Sequence, residues 1–224
     1  MQEKVTKNLG GLALKTLVFL LVLTILLTTI FLVAFPRTAS NVLTKLGVDG
    51  LASNYAKVSY ERTKDFNDLA LTFNKSVLAE NYKQVKKYGQ ILVADANFDD
   101  YVKFQNTNQK NYDYKKWALG NIAIANLHID GISSAIENLN LSSSTQYVAG
   151  HQMSYLTDEV VSKKMKLQKD EIALVNDKFN MIFKGQQSRK EDCKPCIIDA
   201  YSFAKAFCDN DVAKMWFERY EKVN

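Results

Sequence analysis

Cys193-Lys194-Pro195-Cys196 places two thiols three residues apart, and Cys208 follows twelve residues later. At the start of a helix, such a pair could carry thiol–disulfide exchange, because the helix N-terminus favours the thiolate. A four-ligand zinc site would need a second Cys or His pair at suitable spacing, whereas His128 and His151 lie far upstream and apart from each other. The reading favoured is structural: buried thiols at a helix start, or one disulfide among Cys193, Cys196 and Cys208 that would lock the last helical hairpin in an oxidising exterior. Three cysteines cannot complete a disulfide framework within one chain.

The other chemistry-bearing residues point away from catalysis. Asp99-Asp100, Asp170-Glu171 and Glu191-Asp192 are adjacent pairs, whose side chains diverge by about 100° on a helix instead of facing one site. They suit helix starts and solvated loops. No Gly-rich phosphate loop, serine-hydrolase elbow or metalloprotease helix is present. His128 and His151 read as packing or surface residues. The sequence therefore assigns no catalytic, cofactor-binding or metal-ligating residue and no cofactor, and the expectation is a non-enzyme. Phe98, Tyr101 and Phe104, with Tyr112, Tyr114 and Trp117, flank an Asn-rich stretch. Aromatic residues beside an adaptable loop suit a partner-binding face, with core packing as the competing role.

What must position these residues begins with Thr16 to Phe35, a run of 20 residues without charge, Gly or Pro. At about 1.5 Å per residue, such a helix matches the roughly 30 Å hydrocarbon core of a bilayer. The run exceeds the ~7 to 15 residue core of a signal peptide, which favours a retained anchor over a cleaved leader. Lys4, Lys7 and Lys15 precede it against Glu3, while Arg37 and Lys45 on the other flank are offset by Asp49. The positive-inside rule then places the N-terminus in the cytoplasm and the rest outside a cell membrane, as a single-pass protein. The net charge of +5 is too modest for a nucleic-acid footprint. The bilayer, through Thr16 to Phe35, and other membrane or envelope proteins are the expected partners, and the oligomeric state is left open.

No proline occurs between Pro36 and Pro195, so 158 residues lack the strongest helix breaker. Apolar residues recur at three- and four-residue spacing in Phe66 to Val77, Tyr82 to Leu92, Trp117 to Leu127, Ile132 to Leu139, Met153 to Leu167, Ile172 to Ile182, Ile197 to Cys208 and Val212 to Tyr220. These predict about eight helices in four antiparallel hairpins. The turns fall at Leu78 to Asn81, Asp130-Gly131, Lys169-Asp170 and Asp209 to Asp211. Gln105 to Asp113 and Gly185 to Lys194 read as loops, and Ser142 to Thr145 as a break that caps the next helix. The fold class is all-α: a short cytoplasmic tail over 1–15, a transmembrane helix over 16–35, a connector over 36–51 and a hairpin-repeat domain, or irregular helical bundle, over 52–224.

Leu69, Ala70 and Phe73 followed by Asn81, Tyr82 and Val85, then Leu119, Gly120 and Ala123 followed by Gly131 and Ala135, and the final Asp209 to Trp216 turn, resemble tetratricopeptide-type helical-hairpin repeats. The second helices begin about 50, 39 and 40 residues apart, against ~34 in that family. The resemblance implies a protein-binding scaffold without built-in chemistry. The Cys193/Cys196 pair also resembles the dithiol of thioredoxin-like oxidoreductases, which requires strands around the motif that this sequence does not show. Membrane tethering raises the effective concentration of a binding surface. The expected function is thus an adaptor or scaffold subunit of a membrane or cell-envelope complex. The alternative is an extracytoplasmic helical sensor that holds a small ligand in an aromatic-lined pocket.

Overall fold

Long stretches without proline, rich in Lys, Leu and Ala, fold as helix wherever an apolar stripe finds cover. The computed structural model describes residues 2–108, 113–139, 146–190 and 194–223. Eleven helices and no strand occur among the described residues. The chain divides into two compact units between Ala79 and Glu80, inside the turn expected to close the first hairpin.

The first unit holds α1 (Gln2–Ala34), α2 (Pro36–Lys45), α3 (Asp49–Thr63) and α4 (Phe66–Leu78). From Leu14 to Ala34, α1 is long and apolar enough to cross a membrane, and none of this stretch is buried by the protein. Thr24 and Thr29 donate their hydroxyls to the carbonyls of Leu20 and Ile25, both at 2.8 Å, so neither brings an unsatisfied donor to the apolar surface. Residues 36–51, expected as a connector, instead form α2 and the start of α3. Their buried faces are built from small residues: Ala39, Ser40, Ala52, Ser53, Ala56 and Ser59. Small side chains let backbones approach closely, and Ser40 Oγ donates across to the Ala52 carbonyl at 2.8 Å. Ser53 and Ser76 share a hydroxyl contact of 3.2 Å between α3 and α4. Phe73 and Leu69 of α4 supply the large apolar contribution.

The second unit holds α5 (Tyr82–Ala94), α6 (Phe98–Asn108), α7 (Tyr114–Glu137), α8 (Gln146–Ser162), α9 (Lys169–Ser188), α10 (Lys194–Phe207) and α11 (Asn210–Val223). Helix α7 packs against α5 and α8, and α10 packs against α8, α9 and α11. The expected break at Asp130-Gly131 is present: α7 consists of two helical stretches that meet at Gly131, whose φ of 86° and ψ of 170° interrupt the helical path. That conformation suits glycine because it has no Cβ. At Gly120, a Cβ would lie only 2.4 Å from Tyr155 Cγ, so glycine lets α8 approach α7.

Other boundaries moved too. Gln105 to Asn108, expected in a loop, complete α6, and Gly185 to Ser188 extend α9. The Ser142 to Thr145 break lies outside the described residues. Helix α8 ends near Ser162, where Met165 N bonds the Val160 carbonyl and Lys164 N the Val161 carbonyl, with Lys164 at φ 49°. This is a Schellman-type stop, which leaves Met165 and Leu167 to pack on the core from outside the helix. Asp209 caps α11, accepting from Val212 N at 3.0 Å.

Trp216 anchors α11. Its ring is fully buried, edge-on to Phe179 and Phe183, and its Nε1 donates to Asn176 Oδ1 at 2.9 Å. The Arg219 guanidinium lies 4.4 Å from the same ring.

Two stability changes are expected. Replacing Trp216 with Ala should cost about 3–5 kcal/mol, from lost burial and the cavity left behind, read by chemical denaturation followed through helical circular dichroism. Lys164→Gly should add about 0.5–1 kcal/mol by removing the Cβ strain of a left-handed residue, read in the same assay.

Candidate functional site

The aromatic set converges in part. Tyr114 opens α7, capped by Asp113, and its N–H is held by Asn106 Oδ1 of α6 at 2.9 Å. Around it lie Tyr101, edge-on at 5.1 Å, Trp117 at 5.4 Å and Phe98 at 6.3 Å between ring centroids. Phe98 and Tyr114 are buried, so this part of the set packs α6 onto α7. Phe104 stands apart and is 63% exposed. Tyr112 lies outside the described residues.

Cys193 also lies outside the described residues. Cys196 is buried in the second unit's core, and Cys208, at the end of α10, is a half-buried free thiol that burial and the Asp209 charge hold above its ordinary pKa. An elevated pKa disfavours the nucleophilic thiolate at Cys208. Among the described residues, no group of three or more His, Cys, Asp or Glu side chains is arranged to hold a metal ion.

A polar cluster joins three helices of the second unit. The rings of Tyr82 (first residue of α5) and His128 (α7) stack at 3.9 Å, only 4° from parallel. His128 Nε2 meets Glu159 Oε1 of α8 at 2.6 Å. Lys163, just past the end of α8, pairs with the same carboxylate at 2.8 Å and donates to the Tyr82 hydroxyl at 3.0 Å. Glu80 completes the set, 3.4 Å from Lys163 Nζ. Burial pushes the Glu159 carboxyl up, but hydrogen bonds and charge from Lys163 and His128 outweigh it and hold the group below its ordinary range. The cluster fastens three helices to one another. The i,i+4 pair Glu159/Lys163 is a sequence-readable part of it; the meeting of His128 with Tyr82 and Glu159 is a tertiary event.

Two clefts flank this cluster. A cavity of about 670 Å³ opens along α8, lined by Ser154, Tyr155, Asp158 and Glu159, with Ile124 from α7. Ser154 bonds Asp199 of α10, whose carboxyl burial pushes up to about 6, the Asp158 charge adding to the effect. Asp158 is itself raised by burial. The second cleft, of about 960 Å³, follows α5: Lys83, Lys86 and Lys87 rim it, and Ile91, Ala94 and Ile129 supply apolar floor. Lys86 is paired with Asp130 of α7. Lys83, Lys87, Ile91 and Ala94 are exposed on α5 at helical spacing, so the cleft is one solvent-facing stripe, basic at its start and apolar at its end.

Asp199 generates a pH prediction. Its folded pKa lies above the ordinary aspartate value of 3.8; the folded state therefore holds the proton more tightly, and stability falls as pH rises from 3.8 through about 6. Asp199→Asn should raise stability at pH 7 by about 1–2 kcal/mol, partial solvent exposure screening part of the shift, and this gain should shrink as pH falls towards 4, read by thermal melts across pH.

The chain matches no protein-family model, no curated protein and no solved structure.

Proposed function

We propose that this protein is a single-pass, membrane-anchored helical adaptor of a membrane or envelope complex that works by protein–protein binding, with its N-terminus cytoplasmic and the helices after α1 outside. The observation that carries this reading is the state of α1. From Leu14 to Ala34 no side chain is buried and only Leu32 is partly covered, while its last turn is fastened to folded protein by a 2.7 Å bond from Arg62 Nη1 to the Val33 carbonyl. Large apolar side chains left in water forgo about 1.5–3 kcal/mol each. Lipid cover relieves that cost along the whole helix.

The binding surface in this reading is the α5 stripe. Lys83 and Lys87 at one end and Ile91, Ala94 and Ile129 at the other complement an amphipathic partner segment with acidic residues beside apolar anchors. The tetratricopeptide-type resemblance supports the same class of role, a scaffold of paired helices. Lysines and aliphatic residues, in place of aromatic rings, line the α5 cleft, which favours a partner segment over the small ligand of a sensor.

The test is chemical cross-linking in native membranes followed by detergent solubilisation and recovery of the tagged full chain. The wild type should resist alkaline carbonate extraction and bring down a defined acidic partner. The Lys83→Glu/Lys87→Glu variant should stay in the membrane yet lose that partner about tenfold through like-charge repulsion. Carbonate release of the wild type, or equal recovery by the variant, would refute the proposal.

A further inference from the structure

At the foot of α1, a cavity of about 340 Å³ lies where the apolar stretch ends, walled by the α1–α2 junction and by α3 and α4. Three features of its lining bear on what it binds. First, α2 begins without a cap: Phe35 at the N-cap makes no side-chain hydrogen bond and Pro36 occupies the first position. The amide groups of the α2 first turn, at Arg37 and Thr38, are thus presented where helix N-termini attract anions.

Second, two guanidinium groups border the space. Arg62 spends one N–H on the Val33 carbonyl, and Arg37, its side chain 59% exposed, approaches Asp68 Oδ1 through Nε at 3.5 Å. Each guanidinium has five N–H donors in a fork that fits phosphate. Third, Asp68 is buried to 3% side-chain exposure. Its Oδ2 accepts from Ser59 Oγ at 3.0 Å and Thr63 Oγ1 at 2.8 Å, whereas its Oδ1, also buried, has the ion pair with Arg37 but accepts no hydrogen bond; Asp68 lines the cavity. A buried carboxylate oxygen that has an ion pair but no hydrogen bond is under-satisfied.

We infer that this cavity is a phospholipid headgroup site that binds a phosphodiester through Arg37, Arg62 and the start of α2, and takes a hydrogen-bond donor of the headgroup, an ammonium or hydroxyl, on Asp68 Oδ1. The acyl chains of such a ligand would lie along the exposed apolar surface of α1. The inference rests on the reading of α1 as a membrane helix, which puts the cavity at the depth of the lipid phosphates. Choline headgroups carry no hydrogen-bond donor, so an Asp68 oxygen that lacks a hydrogen bond makes the site selective.

The experiment uses the full chain in detergent micelles, offered equal amounts of phosphatidylethanolamine and phosphatidylcholine and observed by native mass spectrometry, with vesicle flotation in parallel. One retained phosphatidylethanolamine is expected, preferred about tenfold, as one hydrogen bond to a charged acceptor implies. The Arg37→Gln/Arg62→Gln variant should lose both retention and preference while floating with vesicles and keeping its helical circular dichroism. If that variant unfolds, the wild-type preference between the two lipids decides. Equal retention of both lipids, or retention unchanged in a folded variant, would overturn the inference. Displacement of the lipid by equimolar glycerophosphoethanolamine would assign the site to a soluble phosphate ester and overturn the lipid assignment. Wild-type protein that fails to float would remove the membrane reading itself, whereas flotation without headgroup preference removes only the site.

Discussion

The hydrogen bond from Arg62 to the Val33 carbonyl sets the frame for the first unit. The last carbonyls of a helix have no partner within it, and a cation there also meets the negative end of the helix dipole. Arg62 answers both needs at the end of α1, so the uncovered apolar helix is tied to folded protein instead of leaving it through a slack tether. Thr63 beside it and Ser59 one turn earlier hold Asp68. One short segment of α3 thereby fixes both the exit of α1 and the first turn of α4.

The two units solve the packing problem differently. In the first, Ala39, Ser40, Ala52, Ser53 and Ala56 make close helix contacts whose polar atoms are satisfied across the interface, as between Ser40 and the Ala52 carbonyl. In the second, large side chains dominate: Phe179, Phe203, Met153, Leu156 and Trp216 form one continuous core. Trp216 adds a directional bond to Asn176, which fixes how α11 sits on that core.

This contrast explains what the sequence made legible. Phe66 to Val77 and Tyr82 to Leu92 announced α4 and α5 because large apolar residues at helical spacing are the signal that periodicity detects. Helix α3 escaped because its buried residues are Ala and Ser, which also occur on surfaces, and α2 because it follows a proline and a small polar run. All of α6 escaped: no helical stripe was read over Phe98 to Phe104, and Asn106 and Asn108 read as loop, although Asn106 accepts from Tyr114 N at the start of α7. The apolar α1 was legible from composition alone. The cavity at its foot was not: Arg37, Arg62 and Asp68 are ordinary charges in sequence, and only the fold of α2 to α4 brings them together. The His128 cluster was hidden for the same reason, its members drawn from three helices.

Tyr82 follows the second unit's first two residues, and it is held at once by the His128 ring and by Lys163. A mechanical load arriving along the backbone from Ala79 therefore meets a rivet shared by α5, α7 and α8. Force of that kind is spread over three helices at the point of entry, so α5 is not unzipped from its end.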